Sequence, residues 1–156
     1  AEWRNNRLLV DQIDSLRAAF AYVKRRKPFA MEAVVIMPEH LHCIWRLPTD
    51  DADFSNRWSL VESHFSRAVP EGERISQSRK RRRERGIWQR RYWAHMLTSQ
   101  EDFNAHCDYI HWNPVKHGHT ARVSDWPYSS FRRFVERGVY PVDWGHSGEF
   151  AIPVNE

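Results

Sequence analysis

Apolar residues recur every three or four positions in two long stretches of the chain, residues 11–26 and 54–69. This spacing predicts two helices that each bury one face. Residues 29–37, rich in Val, Ile and Ala, predict a strand, and residues 40–47 predict a second strand after the tight connection Pro38–Glu39. The apolar faces of the two helices consist of Ile13, Leu16, Phe20 and Val23, and of Phe54, Trp58, Val61 and Phe65.

The second half of the chain begins with a polar, basic stretch, residues 70–86, which we expect to be a mobile insertion. Residues 92–97 predict a short strand. A capping-box pattern at residues 98–101 then starts a helix that we expect to end at Asn113, because Pro114 disfavours helical geometry in the residue before it. Alternating helices and strands with a short sheet predict an α+β fold, with helices on one face of an antiparallel sheet.

Length and composition place these elements in a single domain. The 156 residues suit one domain, and 41% hydrophobic residues, including eight Trp, can fill a core. We assign residues 1–123 to this domain with its insertion, and residues 124–156 to an aromatic C-terminal tail packed on it. No apolar run is long enough to span a bilayer, no leader pattern is present, and Cys43 and Cys107 do not make a disulfide framework. We therefore expect a cytoplasmic protein.

Positive charge is concentrated in one stretch. The formal net charge is +4, yet residues 74–91 contain nine Lys or Arg and one acid, so this stretch carries +8 and the rest of the chain −4. A basic patch interleaved with Trp88, Tyr92 and Trp93 favours a nucleic-acid partner. The alternative interpretation is a solvated surface loop. The cations expected to contact DNA are Arg79, Lys80, Arg81, Arg82, Arg83, Arg85, Arg90, Arg91 and, further along the chain, Lys116.

Two histidines alternate with apolar residues in the second predicted strand. Side chains point alternately to the two faces of a strand, so His40 and His42 share one face while Leu41 and Cys43 share the other. Two imidazoles side by side on an open sheet face can bind one divalent ion, with a third ligand from elsewhere. The alternative is a pair of surface histidines that only keep the sheet soluble. A structural zinc site is disfavoured, because Cys43 points away and no Cys-x-x-Cys pair completes it.

The helix predicted after residue 98 has two distinct faces. Tyr109 and Asn113 are four residues apart and lie one turn from each other. If Asn113 is the third ligand beside His40 and His42, the metal polarises a phosphate that Tyr109 can attack. The alternative is a half-buried packing tyrosine followed by an ordinary helix-end asparagine. The apolar stripe consists of Phe103, Cys107, Ile110 and Pro114, and the polar face of Asp102, His106, Tyr109 and Asn113.

Several short motifs occur together in a fixed order. Residues 37–42 read MPEHLH, residues 88–95 read WQRRYWAH, residues 109–118 read YIHWNPVKHG, and residues 124–131 add SDWPYSSF. Together they resemble the REP-associated tyrosine transposases, a branch of the single-tyrosine HUH nucleases. The resemblance extends over residues 3–145, most of the chain.

This resemblance implies an RRM-like or ferredoxin-like sheet with helices on one face, which is the HUH nuclease fold. It implies a divalent ion, Mg²⁺ or Mn²⁺, held by His40, His42 and Asn113, and Tyr109 as the nucleophile. The family cleaves single-stranded DNA near the foot of imperfect palindromic hairpins. The tyrosine becomes joined to the 5′-phosphate and a 3′-hydroxyl is released, so the phosphodiester is conserved without external energy. The resemblance also favours a monomer.

Two features depart from the pattern of the family. The family normally opens with a strand rich in aromatic and β-branched residues, which is absent before residues 1–3, so we expect the first strand of the sheet to be missing from this chain. The basic insertion at residues 70–86 is also longer than the family pattern suggests.

Three other functions are compatible with the residues. The first is a DNA-hairpin-binding regulator without catalysis, which the presence of Tyr109, His40, His42 and Asn113 disfavours. The second is a metal-dependent nuclease that uses water, in which Tyr109 only stacks on a base. The third is an RRM-like RNA binder, disfavoured because histidines occupy the sheet face on which such proteins present aromatic residues.

Overall fold

The structure is a computed structural model that describes residues 7–71, 77–82, 85–89 and 91–145, without the side chain of Arg79. The α+β prediction is confirmed, with an antiparallel pair of strands accompanied by helices. The elements in chain order are α1 (Leu8–Asp11), α2 (Ile13–Arg26), β1 (Ala30–Ile36), β2 (Leu41–Arg46), α3 (Phe54–Ala68), α4 (Gln77–Arg81), α5 (Gln100–Lys116), a 3-10 helix (Val123–Asp125) and α6 (Phe131–Glu136).

The chain forms two compact units, and both strands contribute residues to each. The first unit contains the described residues up to 30, residues 38–40 and the described residues from 45 to 92. The second contains residues 31–37, residues 41–44 and the described residues from 93 onward. The expected boundary between residues 123 and 124 therefore does not separate these units, since both sides of it belong to the second.

The first unit has a core between α2 and α3, which pack against each other. Both predicted apolar faces are observed, although Phe54, at the start of α3, is 42% exposed. Trp45 of β2 packs its ring against Phe20 and Trp58, whose centroids lie 6.4 and 5.9 Å away. The fully buried apolar side chains of these two helices include Leu16, Val23, Val61 and Phe65.

A buried arginine ties the start of α3 to the end of α2. Arg57 is only 2% exposed, and its guanidinium forms a bidentate pair with Asp51 at 3.0 and 2.6 Å. It also donates to the carbonyl oxygens of Lys27, Pro28 and Asp53 at 2.9–3.1 Å. These bonds use all five guanidinium N–H groups. The pair raises the pKa of Arg57 and lowers that of Asp51 to about 2, chiefly through the hydrogen bonds between them.

The second unit is built around α5. The helix begins at the capping residue Ser99, whose hydroxyl accepts a bond from the backbone N–H of Asp102 at 3.1 Å. The predicted apolar stripe of α5 is observed, since Cys107 and Ile110 are at most 4% exposed. They join a core whose other members come from β1, the 3-10 helix, α6 and the residues that follow β1 and α6: Ala33, Val35, Met37, Val123, Phe131, Phe134 and Tyr140.

Pro114 does not end the helix as predicted. The helix continues to Lys116, and Gly118 follows in a left-handed conformation, with a φ of 72°. Pro114 stands in the last turn and is fully buried, so its ring packs in the core while one N–H bond to the turn below is lost. Tertiary packing therefore overrides the local preference of the residue before proline.

One further prediction of local structure differs from the structure, and another is not tested by it. The strand expected at residues 92–97 is not formed, and the chain there is irregular and mostly exposed. The described part of the insertion at residues 70–86 contains a short helix, α4, and its mobility stays a prediction. Its last residue, Gly86, and the following Ile87 are buried. The burial of Ile87 anchors the chain directly after the insertion.

The described part of the tail supplies core residues and a bridge to β1. Ser129 forms an antiparallel bridge with Val35, and the indole of Trp126 donates to the carbonyl of Ile36 at 3.0 Å. Arg133 donates to the carbonyls of Met31 and Glu32. Residues 124–145 thus fold against β1. None of the described helices is long and apolar enough to cross a membrane.

Candidate active site

Tyr109 projects from the polar face of α5 toward β2. The rings of Tyr109 and His42 lie edge to face, with centroids 5.4 Å apart. Both side chains are half-buried. The face of β2 that carries His42 was expected to be open, but Tyr109 covers it, and Ile44 on the same face packs into the core of the second unit. The phenol ring of Tyr109 therefore lies beside the imidazole of His42.

The ammonium group of Lys116 lies over the ring of Tyr109. Its Nζ is 5.1 Å from the centroid of the Tyr109 ring. The two residues are seven positions apart on α5, two turns of the same face. A cation within about 6 Å of the centroid of an aromatic ring is attracted by the electrons of the ring face. Lys116 was expected to contact DNA, and that role stays a prediction.

Asn113 lies one turn beyond Tyr109 on α5. It is 0% exposed, and among the described residues neither its Oδ1 nor its Nδ2 has a hydrogen-bond partner. Leaving a buried amide unbonded costs about 1–3 kcal/mol. Most buried polar atoms in folded proteins are bonded, so both atoms of this amide are available to a ligand or to a water molecule.

His40, the first residue of the predicted strand, lies directly before β2, which begins at Leu41, and is half-buried. It belongs to residues 38–40 of the first unit, whereas His42, Tyr109 and Asn113 belong to the second. The structure thus brings His42 and Tyr109 into contact and puts Asn113 on the same helix. The sharing of one metal by His40, His42 and Asn113 stays a prediction.

A buried network lies on the opposite side of α5. His111 is fully buried, with its Nε2 2.7 Å from Ser130 Oγ and its Nδ1 3.3 Å from Tyr140 Oη. Tyr140 donates its hydroxyl proton to Asp108 at 2.8 Å, so the His111 Nδ1 must be the donor in its contact with Tyr140. Burial, reinforced by the charge of Arg133, lowers the pKa of His111 to about 3. The ring is therefore neutral, and it holds the segment of α5 that carries Tyr109.

The cations expected to contact DNA fall into three groups. Lys80, Arg81, Arg82 and Arg91 are exposed. Arg85 instead donates to the carbonyl oxygens of Ser66, Val69 and Pro70 at the end of α3, so its guanidinium already has partners within the protein. The residues whose side chains lie outside the described part of the chain are Arg79, Arg83 and Arg90.

A second cluster of titratable residues was not singled out from the sequence. His95 and His106 both contact Asp102, at 2.9 and 3.1 Å, and the three side chains offer ligand atoms within 4.8 Å of one another. Asp102 and His106 were visible as neighbours on the polar face of α5. His95 comes from the stretch wrongly predicted as a strand, so its approach to them could not be read from the spacing.

Comparison of this chain with known proteins identifies similar sequences. No protein-family model matches the chain. A REP-associated tyrosine transposase of Escherichia coli K12 is 45% identical over 141 residues, covering 90% of this chain and 78% of the relative. A relative in Haemophilus influenzae, whose family name is provisional, is 39% identical over 150 residues, covering 96% and 85%.

A solved structure is similar over nearly the whole chain. It is a REP-associated tyrosine transposase bound to a REP hairpin, with a TM-score of 0.81 and 42% identity over 99% of this chain and 87% of that one. The fold and the curated relatives agree with the motifs found in the sequence. This chain belongs to the REP-associated tyrosine transposase family.

Proposed function

We propose that this chain cleaves and rejoins single-stranded DNA beside palindromic hairpins, through a covalent link between Tyr109 and a 5′-phosphate. Relatives with 45% and 39% identity are named as tyrosine transposases, and a similar protein has been solved with a REP hairpin. The observation that carries the proposal in this chain is the buried, unbonded amide of Asn113 one turn from Tyr109. Such an amide suits a ligand position better than a packing position.

The residues fit a divalent ion. Imidazole nitrogens and an amide oxygen are donors that a divalent first-row ion accepts, and Asn113 Oδ1 has no bond among the described residues to give up. His40, His42 and Asn113 would hold the ion. Bound there, it would polarise a phosphoryl oxygen of the scissile linkage.

Tyr109 performs the strand-breaking step in this proposal. Its Oη forms a bond to phosphorus while the bond from phosphorus to the 3′-oxygen breaks, and the phenolic proton is lost as the 3′-oxygen gains one. Lys116, 5.1 Å from the ring, stabilises negative charge that develops on the phenol. His42, against the ring edge, restricts its orientation. The reverse reaction, with another 3′-hydroxyl, joins strands.

The test is incubation of the full chain with hairpin-containing single-stranded DNA, with Mg²⁺, with Mn²⁺ and with chelator, followed by a denaturing gel. We expect a metal-dependent covalent adduct in the parent protein and none with Tyr109→Phe, while equilibrium binding to the hairpin changes less than about twofold, well under 1 kcal/mol. Tyr92→Phe is the matched control, because it removes a phenolic oxygen that bonds Ser55 in the first unit.

Three outcomes separate the proposal from its alternatives. An adduct that persists in Tyr109→Phe would identify another nucleophile, with Tyr92 and Tyr128 tested next. Cleavage without an adduct would favour a water-using nuclease, and hairpin binding without cleavage a regulator. Calorimetry with Mn²⁺ tests the metal separately: unchanged affinity in both His40→Ala and His42→Ala would rule out that site.

A further inference from the structure

Three nearly parallel aromatic rings lie beside the N-terminal half of α5. Trp93 stacks with His95 and His106, with centroids 5.4 and 6.2 Å apart and interplanar angles of 18° and 10°. His95 and His106 stack with each other at 5.2 Å and 18°. We call Trp93, His95 and His106 the ring cluster. Its outermost member, Trp93, is 61% exposed, which is unusual for an indole.

Asp102 fixes the two histidines of the ring cluster. Its carboxylate is 2.9 Å from His95 Nε2 and 3.1 Å from His106 Nδ1. The hydrogen bond from His95 lowers the pKa of Asp102, so the carboxylate is charged near neutral pH. Ser99 caps the helix at the backbone N–H of Asp102. Trp93 therefore contacts two imidazoles that are held by Asp102, a residue in the capped first turn of α5.

Hydrogen positions argue against a metal ion at this cluster. His106 Nδ1 also lies 2.8 Å from the backbone carbonyl of Asp102, and a carbonyl oxygen only accepts, so this nitrogen carries a proton instead of a free lone pair. A metal also binds an imidazole in the plane of its ring, whereas the rings of His95 and His106 stack. These contacts support a cluster of nearly parallel rings.

The ring cluster lies close to the nucleophile along one helix face. Asp102, His106 and Tyr109 follow the helical spacing of a single face of α5. His106 precedes Tyr109 by three residues, which is about 4.5 Å along the helix axis. His106, a member of the ring cluster, thus lies one turn of α5 from the proposed nucleophile, on the same face of the helix.

We propose that Trp93, backed by His95 and His106, stacks on an unpaired base of the DNA strand next to the linkage that Tyr109 attacks. The identity of the ligand as single-stranded DNA rests on the proposed function. Base stacking on an aromatic platform is tolerant of sequence, since every base presents a π face. The ring cluster would therefore position the strand without selecting its sequence.

Binding measured in the Tyr109→Phe background tests this, because no cleavage then disturbs the equilibrium and a failure of catalysis does not affect the result. The probes are a blunt hairpin and the same hairpin with an unpaired oligo(dT) extension of roughly 8 nucleotides, within the length that one binding groove covers. A single 2-aminopurine is moved along the extension, and its quenching reports stacking.

We expect quenching at one or two adjacent positions, and an affinity for the extended hairpin about tenfold lower with Trp93→Ala, from the loss of one base stack. Trp93→Phe should recover most of this affinity. His95→Ala should lose part of it, since it removes support from the indole. Met96→Ala is the matched control, a neighbouring exposed apolar residue outside the ring cluster, and should bind like the parent.

The blunt hairpin separates stacking from general effects. Its affinity should be the same for Trp93→Ala and the parent, and circular dichroism should show the same fold. The proposal is overturned if Trp93→Ala leaves the extended hairpin and the quenching unchanged, or weakens both probes equally. It is also overturned if binding of the extension requires Mn²⁺ or Zn²⁺ and His95 and His106, but not Trp93, because the cluster would then be a metal site.

Discussion

Arg57 in the first unit and Asn113 in the second are both buried polar side chains, but their partners differ completely. Arg57 uses all five of its N–H groups, on one carboxylate and three carbonyl oxygens. Asn113 has no hydrogen bond to either amide atom within the described residues. Burial alone therefore does not identify a structural residue. Arg57 is fully bonded within the fold, whereas the amide of Asn113 has no bond among the described residues that a ligand would displace.

His111 sharpens the comparison, because it lies two residues from Asn113 on the same helix. It is equally buried, yet it has partners in Ser130 and Tyr140. Arg57 keeps its charge because a carboxylate faces it, whereas His111 faces hydroxyl groups and is held neutral. The second unit thus contains one buried polar residue that positions α5 and another that is unbonded.

The largest change in the free energy of unfolding is expected from breaking the hydrogen-bond network of Arg57. Arg57→Met leaves Asp51 and three carbonyl oxygens without their donors, and should lower the free energy of unfolding by about 3 kcal/mol. Arg57→Lys, which keeps the charge but not the planar fork, should lose less. Urea unfolding at neutral pH measures both. A loss below about 1 kcal/mol in the Met variant would show that the network contributes little.

A smaller effect should appear on acidification. The pKa of His111 is about 3 in the folded chain and near 6.5 when exposed, so between these values the unfolded chain binds more protons. Stability contributed by the neutral ring is present above pH 6.5 and is lost as the pH falls, by about 2 kcal/mol between pH 7 and pH 5. Unfolding in chelator should show this slope, and His111→Phe should reduce it.

The Asp51–Arg57 pair should respond in a different pH range. The pKa of Asp51 is lowered to about 2 by its hydrogen bonds with Arg57, so the stability from this pair is present above its ordinary value near 3.8 and is lost only as the pH falls toward 2. If the free energy of unfolding falls equally between pH 7 and pH 5 in the parent and in His111→Phe, then His111 does not cause the loss of stability in that range.

The smallest change in stability, and the clearest in function, is expected at Asn113. Without metal, Asn113→Leu should leave the free energy of unfolding unchanged or raise it by about 1 kcal/mol, because it removes an unbonded buried amide. It should also abolish Mn²⁺ binding in calorimetry. Asn104→Leu is the control, since Asn104 is exposed on the same helix and accepts from Gln100. A marked loss of stability in Asn113→Leu would mean that the amide has a structural role.

Local sequence determined the main elements of this protein. The two amphipathic helices, the two strands and the apolar stripe of α5 follow from spacing alone, because burial of one face imposes a period on the residues that form it. The motifs around His40, His42, Tyr109 and Asn113 were sufficient to place the chain in its family. These features depend on residues close together in the sequence.

Tertiary structure decided the features that depend on distant contacts. Packing of Pro114 in the core carries α5 past the expected stop, and the stretch at residues 92–97 lacks a strand partner among the described residues. The association of His95 with Asp102, and the pairing of Arg85 with carbonyls at the end of α3, join segments that no periodicity relates. The same holds for the hydrogen bonds of buried polar groups. Arg57 is bonded and Asn113 is not, because their partners would have to come from segments that only the fold brings close to them.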